Sequence, residues 1–141
     1  MASELIGRGW AYPCTLTPGG AVQLRDGGAE LDGAIAMIIA TAPGERVMRP
    51  EFGCAIWENL FDPVNARTLG LMEQAVREAV ARWEPRVEVE SVIGVPAGDG
   101  CVELTLEYRV RATNDYRNLV YPFYVIPQEV RAGASARTPA R

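Results

Sequence analysis

Histidine and lysine are absent from this 141-residue chain: all 14 basic residues are arginine, set against 18 acidic ones for a formal charge of -4. There is therefore no imidazole base, no Schiff-base amine and no phosphate-loop lysine, which removes most familiar catalytic sites. The charge balance also lacks the concentrated positive face that nucleic acid or an anionic membrane rewards, so neither is an expected partner. Cysteine is sparse, and Cys14, Cys54 and Cys101 are far apart with no CxxC spacing. Buried free thiols are expected from this, rather than a zinc site or a disulfide framework. No run is long and apolar enough to span a bilayer, and Met1 to Leu5 lacks a basic region leading into a long apolar one. The expectation is a protein kept in a reducing cytoplasm, with no direct membrane insertion, no metal and no cofactor.

What is present suits one domain with a real core. Leu5 to Pro13 mixes apolar residues with two glycines and is expected as an extended arm. Thr17-Pro18-Gly19-Gly20 is a turn signal, after which Val22 to Leu24 is expected to pair back on Cys14 to Leu16. Asp26-Gly27-Gly28 breaks the chain. Leu31, Ala34, Ile35, Ile38 and Ile39 then repeat at helical spacing, and this helix ends before Pro43. The segment 43–53 is dense in charge and punctuated by two prolines and two glycines, the composition of a functional loop. Ala55 to Leu60 is expected to make one or two helical turns, with Trp57 and Phe61 as core residues. Asp62-Pro63 is a candidate helix start, settling near Thr68 because of Gly70. The following stripe of Leu69, Met72, Val76, Ala79, Val80 and Trp83 marks an amphipathic helix lying on a sheet.

That helix meets its end at Trp83-Glu84-Pro85-Arg86. Pro85 supplies no backbone donor and pushes Glu84 toward an extended conformation, so the chain turns sharply from helix to strand. Glu84 and Arg86, two apart in an extended segment, can then project together from a rigid corner. Internal partners such as Arg46, Arg49 or Glu51 are the competing reading. Beyond the corner, Val87, Val89, Ile93 and Val95 predict one strand, and Val102, Leu104, Leu106, Tyr108 and Val110 predict a second with one wet face. Leu119 to Ile126 is expected as a third strand, which Pro122 confines to an edge or a strand bulge. The expected fold class is α+β, a small antiparallel three-stranded sheet packed by two main helices with an N-terminal extended arm. Residues 1–127 form that domain, and 128–141, rich in Ala, Gly, Arg, Ser, Thr and Pro, are expected as a disordered tail.

Five motifs in order give a more specific signal: Gly9-Trp10-Ala11-Tyr12-Pro13, the run from Thr41 to Gly53, Leu60-Phe61-Asp62-Pro63, Trp83-Glu84-Pro85-Arg86, and Asn118 to Phe123. Together they resemble the GPW/gene-25-like baseplate wedge family, across roughly Ile6 to Ile126. The resemblance implies a structural baseplate component of a contractile injection system, either a phage tail or an extracellular particle. Its implied partners are other wedge proteins, the sheath protein and tube or spike proteins, in several copies of a symmetric assembly. In that family the Glu-Pro-Arg motif, here Glu84, Pro85 and Arg86, is associated with docking on the wedge core bundle. Glu45, Arg46 and Arg49 join the expected docking set. The family also forms the platform on which sheath polymerisation starts. The apolar edge Leu119, Val120, Tyr121, Phe123, Tyr124 and Val125 is the expected strand-accepting site for sheath, since an unpaired apolar edge invites a partner.

Three other functions are weighed against this one. The resemblance also covers the type VI secretion baseplate subunit (TssE-like) and an IraD-like anti-adaptor regulator. Some relatives have carried a lysozyme label, but glycoside hydrolysis needs two carboxyls about 5 to 10 Å apart, and no spacing marks out such a pair among Glu45, Glu51, Glu58 and Glu84. No enzyme activity is expected.

Overall fold

In the computed structural model, which describes residues 5–98 and 100–124, the arm is built first. Strand β1 (Arg8–Trp10) pairs antiparallel with β2 (Leu24–Asp26), Trp10 opposite Leu24. The expected pairing of Val22 to Leu24 on Cys14 to Leu16 shrinks to a Leu16–Val22 bridge and a bond from the Gln23 N–H to the Thr15 carbonyl. Leu24 pairs with the arm instead.

Helix α1 (Gly27–Ala40) starts four residues ahead of its apolar repeat, directly after an extended Asp26, and buries Leu31, Ile35, Ile38 and Ile39. A 3-10 turn (Ala55–Asn59) follows the 43–53 loop and buries Ile56. Trp57 donates its ring N–H to the Ile39 carbonyl at 2.9 Å and meets Phe123 edge-on at 5.1 Å. Phe61, expected in the core, is 49 % exposed, because the turn closes at Leu60 and leaves the next residue outside.

Helix α2 (Ala66–Trp83) does not start at Asp62-Pro63. The Asp62 carboxylate is taken by the Asn59 amide at 2.8 Å, and Asn65 caps instead, its side-chain oxygen accepting the Thr68 N–H at 3.0 Å. Met72, Val76, Ala79 and Val80 are buried as expected, and Leu69 and Trp83 pack partly against the core.

Strands β3 (Val87–Pro96), β4 (Cys101–Val110) and β5 (Tyr116–Tyr124) form an antiparallel meander in that spatial order. Every predicted inward residue of β4 is buried, from Val102 to Val110. In β3 the expected alternation fails halfway. A bulge between Val89 and Ser91 shifts the register by one residue, so Val87 and Val92 point inward while Ile93 and Val95 face outward, each about half exposed. The result is the expected α+β arrangement, two helices and a three-stranded sheet, joined by a second, two-stranded sheet. The proposed tail 128–141, with Val125 and Ile126, lies outside the described residues.

Candidate docking and assembly surfaces

The helix-to-strand corner forms where expected. The Glu84 N–H still bonds the Val80 carbonyl, and Glu84 itself leaves the helical region at φ -126° and ψ 80°. Glu84 and Arg86 do project together, but inward. Arg86 Nε and Nη2 donate to the two Glu84 carboxylate oxygens at 2.6 and 2.7 Å. Its Nη1 donates to Glu30 at 2.8 Å and to the Ile6 carbonyl at 3.0 Å, and Nη2 reaches the second Glu30 oxygen at 3.3 Å. Glu84 is 4 % exposed. The expected exposed pair is therefore corrected to an internal cluster, and the internal partner is Glu30 rather than Arg46, Arg49 or Glu51. Nothing in local spacing could have identified Glu30, which lies 56 positions from Arg86. The hydrogen bond to Glu84, helped by Glu30 and opposed by burial, holds the Arg86 guanidinium well above its ordinary pKa. Part of it remains accessible to solvent.

Beside this cluster lies a cleft of about 210 Å³, walled by Trp10, Ala34, Met37, Phe52 and Trp83 over Glu30 and Glu84. The 43–53 loop reaches it through an aromatic stack: the Arg46 guanidinium sits 4.5 Å from the Phe52 ring, Phe52 lies 5.1 Å from Trp83, and Arg82 covers Trp83 at 4.8 Å. Arg46 thus joins the corner. Glu45 does not, because its carboxylate turns back to accept the Ala42 N–H at 2.9 Å. Arg49 contributes backbone bonds to the loop, and neither Arg46 nor Arg49 is in an ion pair among the described residues. Gly53 anchors the loop's end at φ +126°, where an added Cβ would stand 2.4 Å from the Thr41 carbonyl oxygen.

The third expected site is the side of β5 that pairs with no other strand among the described residues. Its partner β4 pairs without interruption from Tyr116 to Tyr124. Pro122 has no N–H to give β4, so its nitrogen points away, and Asn118, Val120 and Tyr124 share its parity with their N–H groups directed outward. Leu119, Tyr121 and Phe123 turn toward the core while Val120 and Tyr124 are more than half exposed. Val125 lies outside the described residues. The start of the strand is pinned by a cluster that the sequence did not reveal: Tyr108 and Arg117 both bond Asp32 of α1, Arg117 at 2.9 Å. Arg117 lies so close to Gly28 that a Cβ there would meet its guanidinium carbon at 2.2 Å. Burial, and then the Asp32 carboxylate, push the Tyr108 hydroxyl well above its usual pKa.

The opposite edge of the sheet is treated differently. The Gly94 N–H of β3 is capped by Glu73 of α2 at 2.8 Å.

A family model described as baseplate wedge protein gp25 matches residues 25–115, which contain the loop, the corner and the first two strands of the sheet. The chain belongs to the gp25 baseplate wedge family. The gp25 of Enterobacteria phage T4 is 36 % identical over 62 residues, 44 % of this chain and 47 % of that protein, so the match spans about half the length of the relative. Baseplate protein W of Escherichia phage P2 is 30 % identical over 89 residues, 63 % of this chain and 77 % of its own. Among solved structures, a Geobacter sulfurreducens crystal structure with the provisional name of tail lysozyme is 49 % identical, with a TM-score of 0.65 over 70 % of this chain and 90 % of that one. A chain of the anti-feeding prophage baseplate shares the fold, with a TM-score of 0.64 at 20 % identity over 94 % of this chain and 97 % of its own. The outer motifs, Gly9 to Pro13 and Asn118 to Phe123, lie beyond the residues that the gp25 family model matches.

Proposed function

We propose that this gp25-family chain is a structural subunit of the baseplate of a phage-tail-like contractile particle, docked on other wedge proteins and serving as the platform where the sheath begins. The open side of β5 carries the reading. The described sheet has two outer strands; Glu73 of α2 takes one outward N–H of β3, that of Gly94, whereas β5 presents outward N–H groups beside exposed Val120 and Tyr124. An antiparallel or parallel strand added there would satisfy idle backbone groups and read alternate side chains. Wedge docking falls to the corner side, where Arg86, Arg46 and the cleft between Trp10 and Trp83 adjoin. Burial of Glu84 makes its contribution indirect: it fixes the guanidinium that a partner would meet.

The same cluster argues against glycoside hydrolysis. Glu30 and Glu84 are the carboxylates brought together at the cleft, and both oxygens of each are bonded to Arg86. Neither is free to protonate a leaving group or attack a sugar. Among the described residues no cluster of three metal-ligating side chains occurs, and no helix is long and apolar enough to cross a membrane.

Deleting the gene in the source organism tests the proposal. The expected result is particles with tubes but without sheath, restored by the wild-type gene. Normal sheathed particles from the deletion strain would contradict it, and hydrolysis of purified peptidoglycan by the pure protein would restore the enzyme reading.

A further inference from the structure

The 43–53 loop ends in a tip that none of these roles uses. Val47 and Met48 are 86 % and 91 % exposed. Met48 also has φ +64°, a left-handed conformation that a non-glycine side chain enters at a cost in free energy. Such a conformation persists only where the surroundings enforce it, and here backbone bonds close the loop on both sides. The Gly44 N–H reaches the Pro50 carbonyl at 2.7 Å, the Arg49 N–H the Arg46 carbonyl at 3.3 Å, and the Phe52 N–H the Arg49 carbonyl at 3.1 Å. A tip destined for water would be served better by asparagine or glycine. Instead two apolar side chains are held out on a braced stalk.

The charges around the tip indicate what receives it. Arg46 and Arg49 flank Val47 and Met48, and Arg46 is steadied over Phe52. Glu45 is turned back into the loop, so it does not neutralise them at the tip, and Glu51 lies beyond Pro50 on the stem. We propose that Val47 and Met48 form a plug that seats in an apolar pocket with a carboxylate rim on a neighbouring baseplate protein, with Arg46 and Arg49 pairing to the rim. Methionine suits such a seat, being unbranched and able to fill an irregular pocket. A lipid surface is the weaker match, because the plug is two residues long and the chain's net charge is -4.

The inference rests on the baseplate reading, and the experiment separates the two. Epitope-tagged full-length chain is expressed in the deletion strain, particles are pelleted, and tagged protein is measured relative to tube protein. If the wild-type chain does not pellet with particles, the baseplate reading itself fails. If it does, Met48→Ser is expected to incorporate at least about tenfold less, while Met48→Leu incorporates normally. Met48→Gly makes the result independent of folding: it should raise the melting temperature by about 2 to 5 °C by relieving the left-handed strain, yet incorporate as poorly as Met48→Ser. Wild-type incorporation of Met48→Ser and Met48→Gly would overturn the plug. So would binding of the pure protein to phosphatidylserine vesicles that Met48→Ser abolishes, which would assign the tip to a membrane.

Discussion

Arg86 grips Glu30 at 2.8 Å across 56 residues of chain, and the same guanidinium holds Glu84 at 2.6 Å. One side chain thereby ties the first turn of α1, the end of α2 and the start of β3 to each other, and through the Ile6 carbonyl to the arm. The corner is first a structural junction, and a partner docked as proposed would meet only the solvent-accessible part of Arg86.

Replacing Arg86 with alanine is expected to destabilise the fold by about 2 to 3 kcal/mol, because Glu84 and Glu30 would be left without their cation. The value lies below the roughly 3 to 5 kcal/mol of a fully buried pair, since solvent reaches the Arg86 side chain. Arg86→Lys keeps a charge but loses the fork and should fall between. Urea unfolding of the three proteins measures this, and a midpoint unchanged in Arg86→Ala would mean that the cluster does not hold the corner.

The two halves of β3 should respond in opposite ways to charge. With the bulge at Val89–Ser91, Val92→Lys puts an ammonium into the core and should prevent folding, whereas Ile93→Lys lies on the wet face and should melt close to the wild type. Equal damage from both would place the bulge elsewhere.

Alkali is expected to weaken the fold through a thiol. Burial pushes the Cys54 pKa up from 9.0 to about 11, so the folded state keeps its proton while the unfolded chain gives it up near 9. Below about pH 9 both states are protonated and the group is neutral in the balance. As pH rises from 9 to 11, stability should fall by about 2 to 3 kcal/mol, and Tyr108, also raised by burial, extends the loss at higher pH. Cys54→Ala should flatten the first part of that limb in denaturant titrations at pH 8, 9 and 10. In the wild type, exposed Cys14 should react readily with iodoacetamide while Cys54 stays inert.

The sequence made legible what local physics decides. Strand β4 alternates apolar and polar residues across ten positions because one face is core and the other water, and α2 carries its stripe for the same reason. Pro85, following a long helical stripe, removes a donor and restricts Glu84, so the corner was readable too. The bulge in β3 was not, because Val92 and Ile93 are both apolar, so the shift in parity was masked, and Ile93 and Val95 continued an alternation that the backbone had already broken. Nor was the direction in which Glu84 and Arg86 face, since that depends on Glu30, a residue with no local reason to be near them. Asp62-Pro63 misled because Asn59 competes for the capping carboxylate, a contact visible only once the 3-10 turn exists. The β5 edge was legible from its apolar run and Pro122; its pinning by Asp32 and Arg117 was not.

The measurement that bears most directly on the account is the sheath count on particles carrying Val120→Pro. Val120 sits opposite Thr105 with the same parity as Pro122, so the substitution removes an outward N–H at the middle of the outer edge of β5 and spares the ladder to β4. Electron micrographs should show baseplates that still contain the protein, on tubes that lack sheath. Sheaths of normal length and number on Val120→Pro particles would contradict the claim that polymerisation starts by strand addition to β5.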